Sequence, residues 1–278
     1  MTRPIRSTGS VREGDSARDP GEPRSARVLR GDYEFRFFRW ERPGAVRVLL
    51  VHGIGMGHRV YGRFIAEIAE HVDVTAVDLP GFGECAEPAE ALGIPATADL
   101  LADALEEIGL SPVVAVGHSM GAQVVAELAV RHPSLVRRAV LIASSVNPAE
   151  RTALRQGLRM LQDLAEGEPL VVLERATATY LQAGPRWFAK KLRQMLAHRV
   201  EESLPALQQP ALVLRGAEDR VCPRGWAVRM TGLLPRGEMR QIPGRGHEAL
   251  ISSGEPVARI VLDWLPENDA LADTEATL

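Results

Sequence analysis

Three polar residues far apart in the chain, Ser119, Asp219 and His247, have the types that nucleophilic catalysis needs. Ser119 lies in Gly117-His118-Ser119-Met120-Gly121, between an apolar β run and a run with helical spacing. In that context G-x-S-x-G reads as a sharp strand-to-helix turn that presents the serine hydroxyl at the C-terminal edge of a sheet. The turn strains the central residue, and glycines on either side remove Cβ atoms that would clash. The alternative is a Gly-rich turn with an idle serine. A serine hydroxyl is a weak nucleophile and needs a base held by a third group. His247 closes Pro243-Gly244-Arg245-Gly246-His247, just past the last expected strand, and Asp219 closes Arg215-Gly216-Ala217-Glu218-Asp219, just past another. Alone, the first reads as a solvated loop histidine and the second as a turn cap. Their order after Ser119 makes them a base and its orienting acid. Glu218 is the adjacent rival, but a neighbour on an irregular turn points elsewhere. The preceding strand ends in Ala143-Ser144-Ser145, which offers no carboxylate.

The elements that must position these residues are legible as alternating periodicities. Tyr33 to Trp40, Val46 to Val51, Val72 to Val77, Pro112 to Val116, Ala139 to Ala143, Ala211 to Leu214 and Glu238 to Ile242 read as strands. Arg59 to His71, Ala98 to Ile108, the run from the elbow to about Arg131, Trp226 to Leu234 and Pro256 to Leu265 read as helices. This alternation predicts an α/β fold with a mostly parallel central sheet and helices on both faces. The gap between the strands at Ala143 and Ala211 far exceeds the dozen or so residues a crossover needs. Residues 146–207 therefore read as an inserted helical cap, with helices over Glu150 to Glu166, Leu170 to Gln182 and Trp187 to Arg199. The first puts Leu154, Leu158, Leu161 and Leu164 on one face, expected to be buried. The insertion leaves the sheet at the edge where the candidate site forms, so it is expected to cover that site. Trp187, Phe188 and Met195 are candidate pocket residues, although helix-spaced apolar residues serve equally well as packing. The rest divides into a flexible basic tail over 1–30, a core over 31–145 and 208–266, and an acidic tail over 267–278.

Composition narrows the functions. The chain has 278 residues, 45% hydrophobic and 25% charged, which excludes a disordered or fibrous protein. Thirty-three Lys and Arg against 36 Asp and Glu leave a net charge of −3, a poor basis for nucleic-acid binding. The insertion carries nine Lys and Arg against seven Asp and Glu, so no strong field selects a polyanionic substrate. The two cysteines, Cys85 and Cys222, form no C-x-x-C pair, and no cluster has metal-ligand spacing. No apolar run reaches the ~18 residues of a membrane span, and Met1 to Arg30 lacks the apolar stretch of a secretion signal. A cytoplasmic protein acting on a small molecule, without metal or cofactor, is the expectation. The oligomeric state is not indicated.

On these motifs, together with His52-Gly53-Ile54-Gly55 after a strand and Asp78-Leu79-Pro80-Gly81-Phe82-Gly83, the chain resembles the α/β-hydrolase superfamily over roughly residues 33–266. The resemblance implies a Ser119-Asp219-His247 triad. It also implies an oxyanion hole made by the backbone N–H groups of Ile54 and Met120, and a structural role for the Asp78 turn. His52 is expected to hydrogen-bond within the oxyanion loop, His118 to fill the variable elbow position, and Cys222 to be a small packing residue. Ser119 excludes the branches with an aspartate nucleophile. Hydrolysis of an ester, thioester or lactone of a small to medium apolar acyl substrate, through an acyl-enzyme intermediate, is the leading reading. The alternatives are a carbon–carbon hydrolase of a vinylogous diketone, a cofactor-free peroxidase-like enzyme, or a silent binding protein. The carbon–carbon hydrolases usually carry Trp close to the catalytic His, where this chain has Glu248-Ala249-Leu250. A dinucleotide site at Gly53-Ile54-Gly55-Met56-Gly57 is imitated only in part, because His58 stands where G-x-G-x-x-G requires glycine.

Overall fold

Val48-Leu49-Leu50-Val51 has no polar side chain, and all four residues are buried because both faces of their strand are covered. Val48 and Leu50 pack into one hydrophobic core, Leu49 and Val51 into another on the opposite face. The structure, a computed structural model, describes residues 21–166 and 184–265. Its strands are β1 (Arg24–Arg30), β2 (Tyr33–Trp40), β3 (Arg47–Val51), β4 (Asp73–Asp78), β5 (Val113–His118), β6 (Val136–Ile142), β7 (Ala211–Gly216) and β8 (Gly237–Ile242). They form one sheet in the order β1-β2-β4-β3-β5-β6-β7-β8. The β1–β2 and β2–β4 pairs are antiparallel, and the other pairs are parallel.

On one face lie α1 (Gly62–Ile68), α8 (Ala249–Ser252) and α9 (Gly254–Leu262), which bury Phe64, Ile65, Leu250, Val257 and Val261. On the other lie α2 (Ile94–Glu107), α3 (Met120–Arg131) and α7 (Arg224–Leu233), which bury Leu101, Leu105, Val124, Leu128 and Met230. Between β6 and β7 run α4 (Ala153–Glu166), α5 (Pro185–Ala197) and the short α6 (Val200–Ser203). The helix expected over Leu170 to Gln182 lies outside the described residues, as do residues 1–20 and the acidic tail. Lys191 anchors α5: its buried ammonium donates to Leu92 O at 3.0 Å and Thr97 Oγ1 at 3.1 Å, and burial lowers its pKa to about 8.

Two expectations are corrected. Arg24–Arg30 is an edge strand, not tail. Gly31 turns at φ +59°, Arg30 pairs with Tyr33, and Val28 is buried. One inward apolar side chain and a tight turn suffice to add the strand, although the rest of it is polar. The second correction concerns α4. Leu154, Leu158 and Leu161 are 74%, 51% and 65% exposed, whereas Gln156 and Asp163 are buried. The helix turns a polar stripe inward, because Gln156 Nε2 donates to Glu150 O at 3.1 Å and Asp163 meets two main-chain N–H groups.

The parallel strands end at one edge, where β5 passes into α3 through Ser119 at φ 53°, ψ −112°. A Cβ on Gly117 would fall 2.3 Å from Gly121 O, and one on Gly121 would fall 2.2 Å from Val51 O. These contacts are with backbone, which cannot swing aside. Gly121→Ala should therefore cost about 3 kcal/mol of stability, the upper end for overpacking. A urea melt of a folded variant with an unchanged midpoint would contradict the packing described.

Candidate active site

Ser119, Asp219 and His247 come from three different strand ends and meet in the fold. Ser119 N–H donates to Ile142 O at 2.9 Å, tying the elbow to β6. His247 Nε2 lies 3.1 Å from Ser119 Oγ. Its Nδ1 lies 3.2 and 3.1 Å from Asp219 Oδ1 and Oδ2. A carboxylate only accepts, so Nδ1 carries a proton, and in the neutral imidazole Nε2 faces the serine with a free lone pair. All three side chains are buried.

Each loop is held. Asp219 Oδ1 accepts Val221 N–H at 2.8 Å and Cys222 N–H at 2.7 Å. Burial alone would raise the Asp219 pKa, but the His247 charge and hydrogen bond, the Cys222 N–H and the Arg215 guanidinium hold it below the usual carboxylate value. Arg215 braces the same turn from beneath, donating to Cys222 O at 2.8 Å and Asp219 O at 2.9 Å. For His247, burial disfavours the imidazolium. The Asp219 charge and hydrogen bond, with the Glu248 and Asp163 charges, overcome it and raise the pKa to about 9. Glu218, the rival acid, is exposed, and its N–H donates to Arg245 O.

The other two histidines of the site act as struts. His52 Nε2 accepts Leu79 N–H at 3.0 Å, which leaves Nδ1–H to donate to Gly53 O at 2.7 Å. That bond pins the loop carrying Ile54. His118 Nε2 lies 3.2 Å from His247 O, and its Nδ1 lies 3.0 Å from the Tyr61 hydroxyl, which accepts Gly53 N–H at 3.1 Å. Burial, then the nearby His247 charge, lowers the His118 pKa to about 3, so it stays neutral. It donates from Nε2 and accepts at Nδ1, which links the base loop to the loop after β3. A Cβ on Gly53 would come 3.3 Å from Ser119 Cβ, so the 53–54 backbone passes directly beside the serine. Met120 opens α3 on the other side.

Ser119 opens into a cavity of 620 Å³. Ile54 and Val221 line it from the core, Met160 and Leu161 from α4, and Phe188, Leu192 and Met195 from α5. Among the described residues, none that lines it is charged. Two of the three residues expected from α5 are therefore at the pocket. Trp187 is not: it is 1% exposed and packs over Gly81 and beside the Phe82 ring. One residue along a helix turns the side chain by about 100°, which separates Trp187 from Phe188. Sequence reasoning missed Ser145, whose Oγ lies 3.4 Å from Ser119 Oγ and which also lines the cavity. Its place directly after β6, at the same edge as the other loops, is the signal that could have found it. Asp163 was also missed. A carboxylate between Leu161 and Leu164 carries no such signal.

A buried hydroxyl facing a correctly protonated imidazole, beside an apolar cavity, can attack an acyl carbon. Residues 48–260 match the alpha/beta hydrolase family, and the chain belongs to it. It is similar to the pimeloyl-[acyl-carrier protein] methyl ester esterase of Chromobacterium violaceum, 28% identical over 78% of this chain and 93% of that one. It is also similar to a 2-hydroxymuconate semialdehyde hydrolase of Pseudomonas putida, 29% identical over 80% of this chain and 88% of that one. Among solved structures it shares its fold with a thermophilic esterase from Thermogutta terrifontis, with TM-score 0.74 and 22% identity over 87% of this chain and 97% of that one.

Both thiols are buried, Cys222 beside Asp219 and Cys85 with its Sγ donating to Asp78 O. Burial first, then neighbouring carboxylates, pushes both well above the usual thiol value. A thiol-specific chromogenic reagent should therefore label neither cysteine in the folded protein and both after denaturation. Rapid labelling of the native protein would refute this.

Proposed function

We propose that this member of the alpha/beta hydrolase family is a serine hydrolase acting on a carboxylic ester, thioester or lactone with an uncharged apolar acyl group. The observation that carries the reading is the Asp219–His247–Ser119 chain, with 3.1 Å from Nε2 to Oγ, opening into a 620 Å³ cavity whose described lining residues are uncharged. Ser119 Oγ attacks the acyl carbon while His247 Nε2 takes its proton. Asp219 holds the tautomer and stabilises the imidazolium. The Ile54 and Met120 N–H groups receive the oxyanion, fixed in place before charge develops. His247 then gives its proton to the leaving alcohol, and water, activated by the same imidazole, releases the acyl-enzyme. The insertion acts as a cap that supplies the acyl pocket. The two free thiols suit a cytoplasmic setting, and the reaction needs no metal or cofactor.

A carbon–carbon hydrolase acting on a dienoic acid would need a partner for the substrate carboxylate. Among the described residues the cavity lining offers no cation, which favours the neutral-acyl reading.

The test is a series of p-nitrophenyl esters of graded chain length. Each added CH₂ should raise kcat/KM about fourfold until the pocket fills, from ~0.8 kcal/mol per buried methylene. Ser119→Ala should lower kcat by about 10⁶. A flat series with an active Ser119→Ala protein would overturn the reading.

Because the base must be neutral to act, and its pKa is raised to about 9, kcat/KM should still be climbing above the ordinary imidazole pKa of about 6.5. Asp219→Asn should cost up to ~10⁴ in kcat, while Glu218→Gln should leave it unchanged. A plateau reached by pH 6, or the reverse ranking of the two variants, would contradict the assigned acid and base.

A further inference from the structure

We infer that Asp163 is a positioning residue of this centre: from α4, its carboxylate ties the acid loop to the base loop and aligns His247 with Ser119. The inference rests on the triad reading above. Asp163 Oδ1 accepts Arg220 N–H at 2.9 Å, one residue past Asp219. Asp163 Oδ2 accepts the backbone N–H of His247 itself at 2.7 Å. Two loops that leave different strands are thereby bridged by one side chain from the insertion. Asp163 is 3% exposed and does not line the cavity, so it does not touch the acyl group.

The choice of residue is informative. Burying a second carboxylate near Asp219 is costly, since burial and the Asp219 charge both disfavour its ionised form. A neutral side chain would hold an insertion to a core at less cost. Two main-chain donors converge on two separate oxygens, however, and only a carboxylate offers two acceptors there. An asparagine would turn its NH₂ toward one of the N–H groups. The anion also sits where an imidazolium forms during each turnover. The charged and titratable groups facing His247 are Asp219 and, through it, Arg215, together with Asp163 from α4, His118 from the elbow and Glu248. Among the described residues, Asp163 is the one that the insertion contributes.

The same helix presents Gln156, Gly157, Met160 and Leu161 to the cavity. One rigid element thus forms part of the acyl pocket and grips the base, so a displacement of α4 by a poorly fitting substrate would be transmitted to His247. Specificity then falls partly on kcat, not only on binding.

The test compares Asp163→Asn with the wild-type chain and Ser119→Ala, using a short ester across pH, with thermal melts to establish folding. Losing one acceptor and leaving a buried N–H unsatisfied should lower kcat by about 10- to 100-fold, with KM little changed. The acid limb of kcat/KM should move to lower pH, because one anion that holds up the His247 pKa has gone. A role in folding alone would lower the melting temperature and leave that limb in place, and that result overturns the inference, as does wild-type kcat in a folded Asp163→Asn. Should Asp163→Asn fail to fold, Asp163→Glu decides. It keeps the charge and displaces the oxygens by a methylene, so reduced kcat with an unmoved limb supports the inference and wild-type kcat overturns it. An inactive Ser119→Ala beside fully active Asp163 variants defeats only this inference. An active Ser119→Ala defeats the triad reading itself.

Discussion

The backbone of Ser119 is held at φ 53°, a conformation that costs a non-glycine residue of order 1–3 kcal/mol. It survives because β5 and α3 are fixed on either side of it and because Gly117 and Gly121 let main chain approach main chain at distances no side chain would permit. The rest of the site is arranged around that point. β3 must end beside it for the Gly53–Ile54 backbone to pass the serine. β6 must supply the Ile142 carbonyl to its N–H. β7 and β8 must follow in order so that their loops deliver Asp219 and His247. The parallel sheet brings these five strand ends to one edge, and the elbow is where its geometry is most exacting.

Around that point, environment assigns different tasks to one residue type. His52, His118 and His247 are all buried. The first two have no strong anionic partner at hydrogen-bonding distance, so burial pushes them down and they serve as neutral struts that fix loops. His247 faces Asp219 directly, and the ion-pair attraction exceeds the burial penalty, so it alone is raised. Tyr61 and His118 join the loop after β3 to the base loop. Asp163 joins the base loop to the acid loop. Ser119, Asp219 and His247 are therefore positioned by a continuous set of hydrogen bonds running beneath and beside them.

What could be read from the sequence was whatever sits next to a strand. Ser119 and Asp219 each follow an apolar β run within a few residues, His247 follows the last expected strand, and chain order did the rest. The phase of the insertion's helices was not legible. A leucine stripe at 154, 158 and 161 predicts burial only if apolar surface faces it, and here the inward side meets main-chain polar groups instead: the Glu150 carbonyl takes Gln156, and the Arg220 and His247 N–H groups take Asp163. The same ignorance of partner geometry put Trp187 beside Phe188 in the pocket, when the helix turns it onto Gly81 and Phe82. β1 escaped notice because only Val28 of its seven residues is buried.

That first strand bears on how the molecule behaves in a crowded solution. A sheet whose outermost strand is flat and apolar offers unpaired N–H and C=O groups to any extended chain that drifts past. Here the outermost strand carries Arg24, Arg27 and Arg30, which reach Glu41, Glu34 and Glu107 respectively. A foreign strand adding to this edge would have to lay its side chains beside this row of guanidinium groups, and charged side chains on an edge discourage such pairing. The arginines that the sequence places in a tail thus blunt the outer edge of the sheet against pairing with another chain.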